Sequence, residues 1–258
     1  MLKVLSTLAV QGALPALIAD YDRATGTRIA CDFAPTNGLL ARIQAGEAAD
    51  VALLTRSALD ELETAGVIAA GSIVDIALSD VGIAVKAGAP KPDISSVAAL
   101  KATLLATQSI AYSRIGASGV FFAGLIERLG IADAVNAKAT IIPTGFTAAL
   151  AASGEVELAV QQISELMMVP GIEMAGPLPA GAESTTMFSG GVLASSSHTE
   201  LAAAFLAHLR SQRAVAALNA AGLRAASAQF PTAHGPDTQA DGVTAGRGRL
   251  HATWGPLI

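Results

Sequence analysis

Cysteine is almost missing from this chain: Cys31 is the only one in 258 residues. An intrachain disulfide and a cysteine-rich zinc site are therefore excluded. Cys31 sits in the alternation Ile29-Ala30-Cys31-Asp32-Phe33, which predicts a buried strand residue rather than a nucleophile. Charge is also scarce, at 14% of residues with a formal net charge of -5, and no block of Lys or Arg stands out. Nucleic acid is not an expected partner, although a local positive site can still hold a small anion. No apolar run reaches membrane-spanning length without a charge or turn residue. His198 precedes a predicted helix, His208 lies inside one, and His234 and His251 fall near the end, so no histidine cluster suggests a metal. Neither a dinucleotide-binding glycine fingerprint nor a phosphate loop followed by lysine occurs. No cofactor is expected.

Apolar residues, by contrast, make up 52% of the chain, with 25 glycines and few aromatics. The core is expected to be built from Ala, Val, Ile and Leu, and the length fits one large domain or two lobes of roughly 100 to 130 residues. Met1-Leu2-Lys3-Val4-Leu5 already reads as a strand. With no charged leader and cleavage site before it, the sequence predicts a cytoplasmic protein, or a periplasmic one if a leader has been removed.

Periodicity gives an alternating order of elements. Strands are predicted at 4–8, 27–34 and 51–54, with helices at 13–25, 39–45 and 57–65 between and after them. A second series follows, with strands at 80–86, 109–112, 140–142 and 158–161 and helices at 96–106, 118–129, 145–152 and 164–169. A return strand at 190–193 and helices at 200–209 and 212–221 complete the pattern. This order predicts an α/β fold with mainly parallel sheets and helices on both faces. We expect two similar three-layer lobes, residues 1–79 with 193–229 and residues 80–192, with a hinge where the chain crosses near 78–84 and 188–193. Residues 230–258, rich in Gly, Pro, Thr, Asp and Gln and carrying the sole tryptophan, Trp254, read as a C-terminal extension.

Four Ser/Thr/Gly clusters each precede a predicted helix: Leu5-Ser6-Thr7, Pro35-Thr36-Asn37-Gly38, Gly116-Ala117-Ser118-Gly119 and Pro143-Thr144-Gly145. If the fold gathers those helix starts, hydroxyls and free amides ring a small anion without a cluster of basic side chains. The candidate ligand contacts are Ser6, Thr7, Thr36, Asn37, Gly38, Arg114, Ser118, Gly119, Thr144, Gly145, Gln161 and Gln162. Tyr112, Ser113 and Arg114 lie just past a predicted strand, where open α/β folds place ligand groups, and Arg114 presents a fork that matches a carboxylate. Glu165, Asp50 and Glu155 are the carboxylates near predicted strand ends. Spacing selects none of them as a base.

These residues carry a resemblance. The opening strand with Ser6, the stretch Phe33-Ala34-Pro35-Thr36-Asn37-Gly38-Leu39-Leu40-Ala41-Arg42-Ile43, then Gly46-Glu47-Ala48-Ala49-Asp50-Val51, the helix at Gly119 and the region 206–223 resemble the molybdate-type periplasmic solute-binding proteins over roughly residues 1 to 225. The resemblance implies a type II periplasmic binding fold whose lobes close on an oxyanion. Ser6 matches that pattern, whereas Asn37 replaces a serine, Gln162 stands about where a tyrosine is usual, and Arg114 is an added positive donor. The stretch Gln161-Gln162-Ile163-Ser164-Glu165-Leu166, with Pro170-Gly171 and Gly176-Pro177 after it, looks like a branch linked to organic acids that includes an aconitate isomerase. The expected ligand is a small di- or tricarboxylate held by a solute-binding protein. A cofactor-independent aconitate-type isomerase and a molybdate or other oxyanion binder stay open as alternatives. A transporter partner is expected only if the chain is exported.

Overall fold

In the computed structural model, which describes residues 1–226, β1 (Leu2–Thr7) lies between β2 (Ile29–Ala34) and β3 (Val51–Thr55), parallel to both. Its apolar residues are buried on both faces because helices cover both, the usual setting of a parallel strand. α1 (Leu14–Thr25) carries Pro15 in its first turn and buries Leu14, Leu17 and Tyr21 along one side. Gly26, with φ of 70°, closes it in the left-handed conformation that other residues adopt only at a cost. α2 (Thr36–Gln44) and α3 (Arg56–Thr64) cover the opposite face through Leu39, Ile43, Leu59 and Leu62.

The long strand β4 (Val74–Lys86) serves two sheets. Its first half pairs antiparallel with β9 (Thr185–Val192), and its second half pairs antiparallel with β7 (Leu158–Gln162) and β8 (Ile172–Pro177). β5 (Ile110–Ser113) lies parallel to β7 and to β6 (Ala139–Ile142), so the strand order across the two halves is β2-β1-β3-β9-β4-β7-β5-β6. Helices α4 (Val97–Ala106), α5 (Ala117–Arg128) and α6 (Ala132–Asn136) pack one face of the second half around Leu100, Phe122, Ile126 and Val135. α7 (Ala148–Ser153) and the single turn α8 (Ile163–Leu166) cover the other through Ala148, Ala151 and Leu166. The chain re-enters the first sheet through β9, whose residues Phe188–Val192 pair β3. α9 (Thr199–Leu209) and α10 (Gln212–Ala220) then bury Phe205, Leu206 and Leu218 beside α1, where Phe205 meets Tyr21 edge to face at 5.3 Å between ring centroids. β10 (Arg224–Ala225) adds a short antiparallel pair to β4. Each large side chain sealed in these cores contributes about 1.5–3 kcal/mol.

The α/β architecture of two lobes joined by continuous strands agrees with the order of elements, and several details differ. The sheets are mixed: both parallel cores are flanked by the antiparallel strands β4 and β9. The strand expected to begin at residue 80 begins at Val74, and α2 starts at Thr36 instead of Leu39 because Pro35 is extended while Thr36-Asn37-Gly38 already coil. Gly145 begins no helix; with φ of 90° it turns the loop ahead of α7. Cys31 is half-buried because β2 is an edge strand, and burial together with Asp32 pushes its thiol up to about 12, so it is not a thiolate near neutrality. Trp254, His234, His251 and the extension over 230–258 lie outside the described residues. Among the described residues, no helix is long and apolar enough to cross a membrane.

Candidate functional site

β1 and β5 end at Thr7 and Ser113, and the chain turns there into the segments that form a cleft. Thr7, Leu8, Pro35 and Thr36 supply the wall from the first lobe, with Phe188 of β9 beside them. Ser113, Gly116, Ala117, Thr144, Gly145, Gln161, Gln162 and Glu165 supply the opposite wall. The walls lie close, leaving a cavity of about 10 Å³, which is room for about one water. Gly38 of α2 faces Ile115 across the gap, and a Cβ on Gly38 would stand 3.8 Å from the Ile115 methyl.

Two helices start at this cleft. The first amides of a helix have no partner within it, and its N-terminus carries about half a positive charge. α2 brings Thr36 to the wall, where its hydroxyl lies 3.5 Å from that of Thr7. α5 brings Ala117, and two hydroxyls near its start, those of Ser113 and Ser118, are buried with no hydrogen-bond partner. A buried hydroxyl normally has one, so these two are unused donors beside a helix N-terminus. Gly116 and Gly119 make this arrangement compact, since a Cβ on either would lie within 2.8 Å of the Ser113 hydroxyl.

In the second lobe Gln161 acts as a clamp. Its carbonyl oxygen accepts from the amide and hydroxyl of Thr147 at 2.8 and 3.0 Å, and its amide donates to the Gly145 carbonyl at 3.0 Å. The side chain thereby holds the 145–147 turn against β7. Gln161→Ala is expected to leave the buried Thr147 amide unpaired, its hydroxyl keeping the Val160 carbonyl, and to lower unfolding free energy by about 1–3 kcal/mol. Urea titration checks this, and an unchanged midpoint would mean that the turn is held by other contacts.

Gln162 faces the strands that link the lobes. Oriented so that both ends of its amide are satisfied, it accepts from Thr186 at 3.1 Å and donates to the Ser79 hydroxyl at 3.2 Å. Beside it Ser79 and Ser164 lie 3.3 Å apart, so β7 and α8 are tied to β4 at the crossing.

Glu165 is the titratable residue among these walls. It is 7% exposed on α8, which packs against the turn Leu8–Val10 of the other lobe. Burial raises its carboxyl to about 8, offset only in part by the Gln162 backbone and the Gln161 side chain. The other two candidate carboxylates are elsewhere. Asp50 stands beside Lys3 at the start of β1, roughly 13 Å of strand from Thr7 at 3.3 Å per residue. Burial pushes it up, but bonds from Ser196, the Lys3 amide and His198 outweigh this and hold its carboxyl below the usual value. Glu155 is exposed and accepts from Ser153 at 3.0 Å.

Of the predicted contacts, the structure brings Thr7, Thr36, Thr144, Gly145, Gln161 and Gln162 into the walls. Ser6 is fully buried behind them and donates to the Thr7 carbonyl. Asn37 and Arg114 are exposed, and Arg114 flanks Ser113 outside the walls while its backbone amide donates to Ile142. Ser118 and Gly119 are buried on α5 behind the cleft surface, and Gly38 of α2 stands opposite Ile115. Sequence reasoning missed Leu8, Thr147 and Phe188. Thr147 had a readable signal, a hydroxyl beside the apolar turn Ala148-Ala149-Leu150.

Comparison with known proteins agrees with this architecture. Residues 2–224 match the family described as bacterial extracellular solute-binding protein. An aconitate isomerase from Pseudomonas sp is 39% identical over 234 residues, spanning 88% of this chain and 89% of that protein. The periplasmic molybdate-binding protein of Azotobacter vinelandii superposes with a TM-score of 0.72 at 19% identity, covering 86% of this chain and 98% of that one. The sulfate-binding protein SubI from Mycobacterium tuberculosis H37Rv gives 0.65 at 15%, covering 87% and 86%. Fold, cleft and hinge strands are those of the type II periplasmic binding architecture, and the chain belongs to the bacterial extracellular solute-binding protein family.

Proposed function

We propose that this protein is a cofactor-independent isomerase that interconverts cis- and trans-aconitate in the cleft between its lobes. The observation that carries the reading is the composition of the walls: hydroxyls and two helix N-termini around a buried carboxyl, with no basic side chain among them. Two helix starts supply about one unit of positive charge, and the exposed Arg114, next in the chain to Ser113, adds a fixed charge outside the walls. Thr7, Thr36, Ser113, Thr144 and the first amides of α2 and α5 then bind the carboxylates, each bond strengthened as closure excludes water. Ser6, Asn37, Gly38, Ser118 and Gly119 shape or support these contacts, and Gln161 and Gln162 position them. The likeness to the Pseudomonas aconitate isomerase supports the choice of substrate.

Aconitate has a methylene and a vinylic carbon on either side of one central carbon. Removing a methylene proton gives an allylic carbanion that the flanking carboxylates delocalise. Returning the proton to the former vinylic carbon shifts the double bond and allows either geometry. One proton and one double bond move, so atoms and electrons balance with no co-reactant. The negative charge that grows on a carboxylate in this step is what helix amides and hydroxyls stabilise.

Admission of a tricarboxylate requires the walls to part. The lobe division proposed from the element order, residues 1–79 with 193–229 against 80–192, makes β4 and β9 the strands that bend.

Membership of a solute-binding family favours a second reading, capture of a small organic acid without turnover, with a transporter partner if the chain is exported. Calorimetry with citrate, trans-aconitate and molybdate, run beside proton NMR of cis-aconitate, separates the readings. The isomerase predicts carboxylate binding and conversion. Carboxylate binding alone would leave the second reading, and a response to molybdate alone would overturn both.

A further inference from the structure

Resting on the isomerase reading, we infer that Glu165 is the single proton carrier: its carboxylate takes the proton from the substrate methylene and the resulting carboxylic acid returns it to the former vinylic carbon. A 1,3 shift on one face of a planar allylic system needs one group within reach of both end carbons, able to accept and then donate. Glu165 is the wall residue whose side chain can both accept and donate a proton in this way. It lines the cleft, and the rest of the wall offers hydroxyls, amides and apolar groups that do not exchange a proton near neutral pH. Away from the cleft, Asp50 is engaged with Lys3, Ser196 and His198, the His208 ring with the Leu17 carbonyl, and the Tyr112 hydroxyl with Asn136.

The surroundings keep this carboxyl free of a partner charge. Of the elements packed on α8, β4 carries Asp75, held by Arg56 and Ser189, Asp80, held by Thr185 and Arg224, and Lys86 at its exposed end. β8 carries Glu173, exposed and bonded to the Gly88 amide, while β7 and the turn Leu8–Val10 bring no charge. A carboxyl so isolated, once its own proton has passed to solvent, is a stronger base than a solvated carboxylate, and this ionised form is the one that takes the substrate proton. Its raised value, about 8, means that kcat/KM climbs about tenfold per pH unit below that point and levels above it.

The test compares the native protein with Glu165→Gln and Glu165→Asp, following isomerisation and exchange of the substrate methylene protons in D2O by NMR, with citrate affinity by calorimetry. Expected is a loss of at least about 10³-fold in both rates for Gln, partial recovery for Asp, and citrate affinity within about threefold of native for Gln. Conversion by Glu165→Gln at near-native rate would overturn the assignment and leave the isomerase reading standing. Citrate binding by the native protein with neither conversion nor exchange would overturn the isomerase reading, and the assignment with it.

Discussion

Glu165→Gln is expected to be more stable than the native protein at pH 7, by about 4 kcal/mol, while losing its activity. In the unfolded chain this carboxyl titrates near 4.3; in the fold, burial raises it to about 8. Between those values the folded state holds a proton that the unfolded state has lost, so stability falls as pH rises. This contribution is fully present below about pH 4, declines by about 1.4 kcal/mol per pH unit, and stops changing above about pH 8. Gln keeps the neutral shape and cannot ionise, so its advantage over the native chain should grow across that window. Taking the difference between the two curves cancels the titration of Asp50 and the surface carboxylates. Urea unfolding of both proteins from pH 4.5 to 8.5 measures it. Parallel curves would show that the carboxyl is solvated and would remove the physical basis for its raised value.

Gly119→Ala is expected to damage both fold and cleft. A Cβ there would stand 1.9 Å from the Ser113 carbonyl oxygen and 2.4 Å from its hydroxyl. The first of these is backbone at the end of β5, so relief requires strand and helix to separate. About 3 kcal/mol of stability should be lost, at the upper end of overpacking costs, and displacement of Ser113 should weaken citrate binding by tenfold or more. Gly124→Ala on the same helix is the control: its Cβ would meet only the Arg128 guanidinium, at 3.6 Å, and the change should be neutral or stabilising by about 0.5–1 kcal/mol. Equal behaviour of the two variants would contradict the close packing of α5 on β5.

The contrast between these glycines marks how far sequence reading reached. Periodicity located α1, α5 and α9 closely because their apolar faces repeat at helical spacing over ten or more residues. The cluster at Thr36 was legible as a helix start, whereas those at Thr7 and Thr144 lead into the turn Leu8–Val10 and the loop ahead of α7; all three meet at one cleft. β8 was not legible, because Gly176 and Pro177 read as turn residues and its burial is incomplete. The first half of β4 was hidden because Asp75 and Ser79 interrupt its apolar pattern; they face Arg56, Ser189 and Ser164. Arg114 had the right chemistry for an anion clamp, yet lies outside the walls. Glu165 stood level with Asp50 and Glu155 in the sequence. Only the packing of α8 on the turn Leu8–Val10, more than 150 residues away in the chain, distinguishes a buried cleft carboxyl from a solvated one.

The central claim is turnover of an unsaturated tricarboxylate in this cleft, and one NMR time course addresses it most directly. Native protein at catalytic concentration is mixed separately with cis-aconitate and with trans-aconitate, and the vinylic proton signals are followed. Both samples should converge on one equilibrium mixture, with many substrate molecules converted per protein. Spectra that stay as they began, in a sample whose protein binds citrate, would contradict the claim.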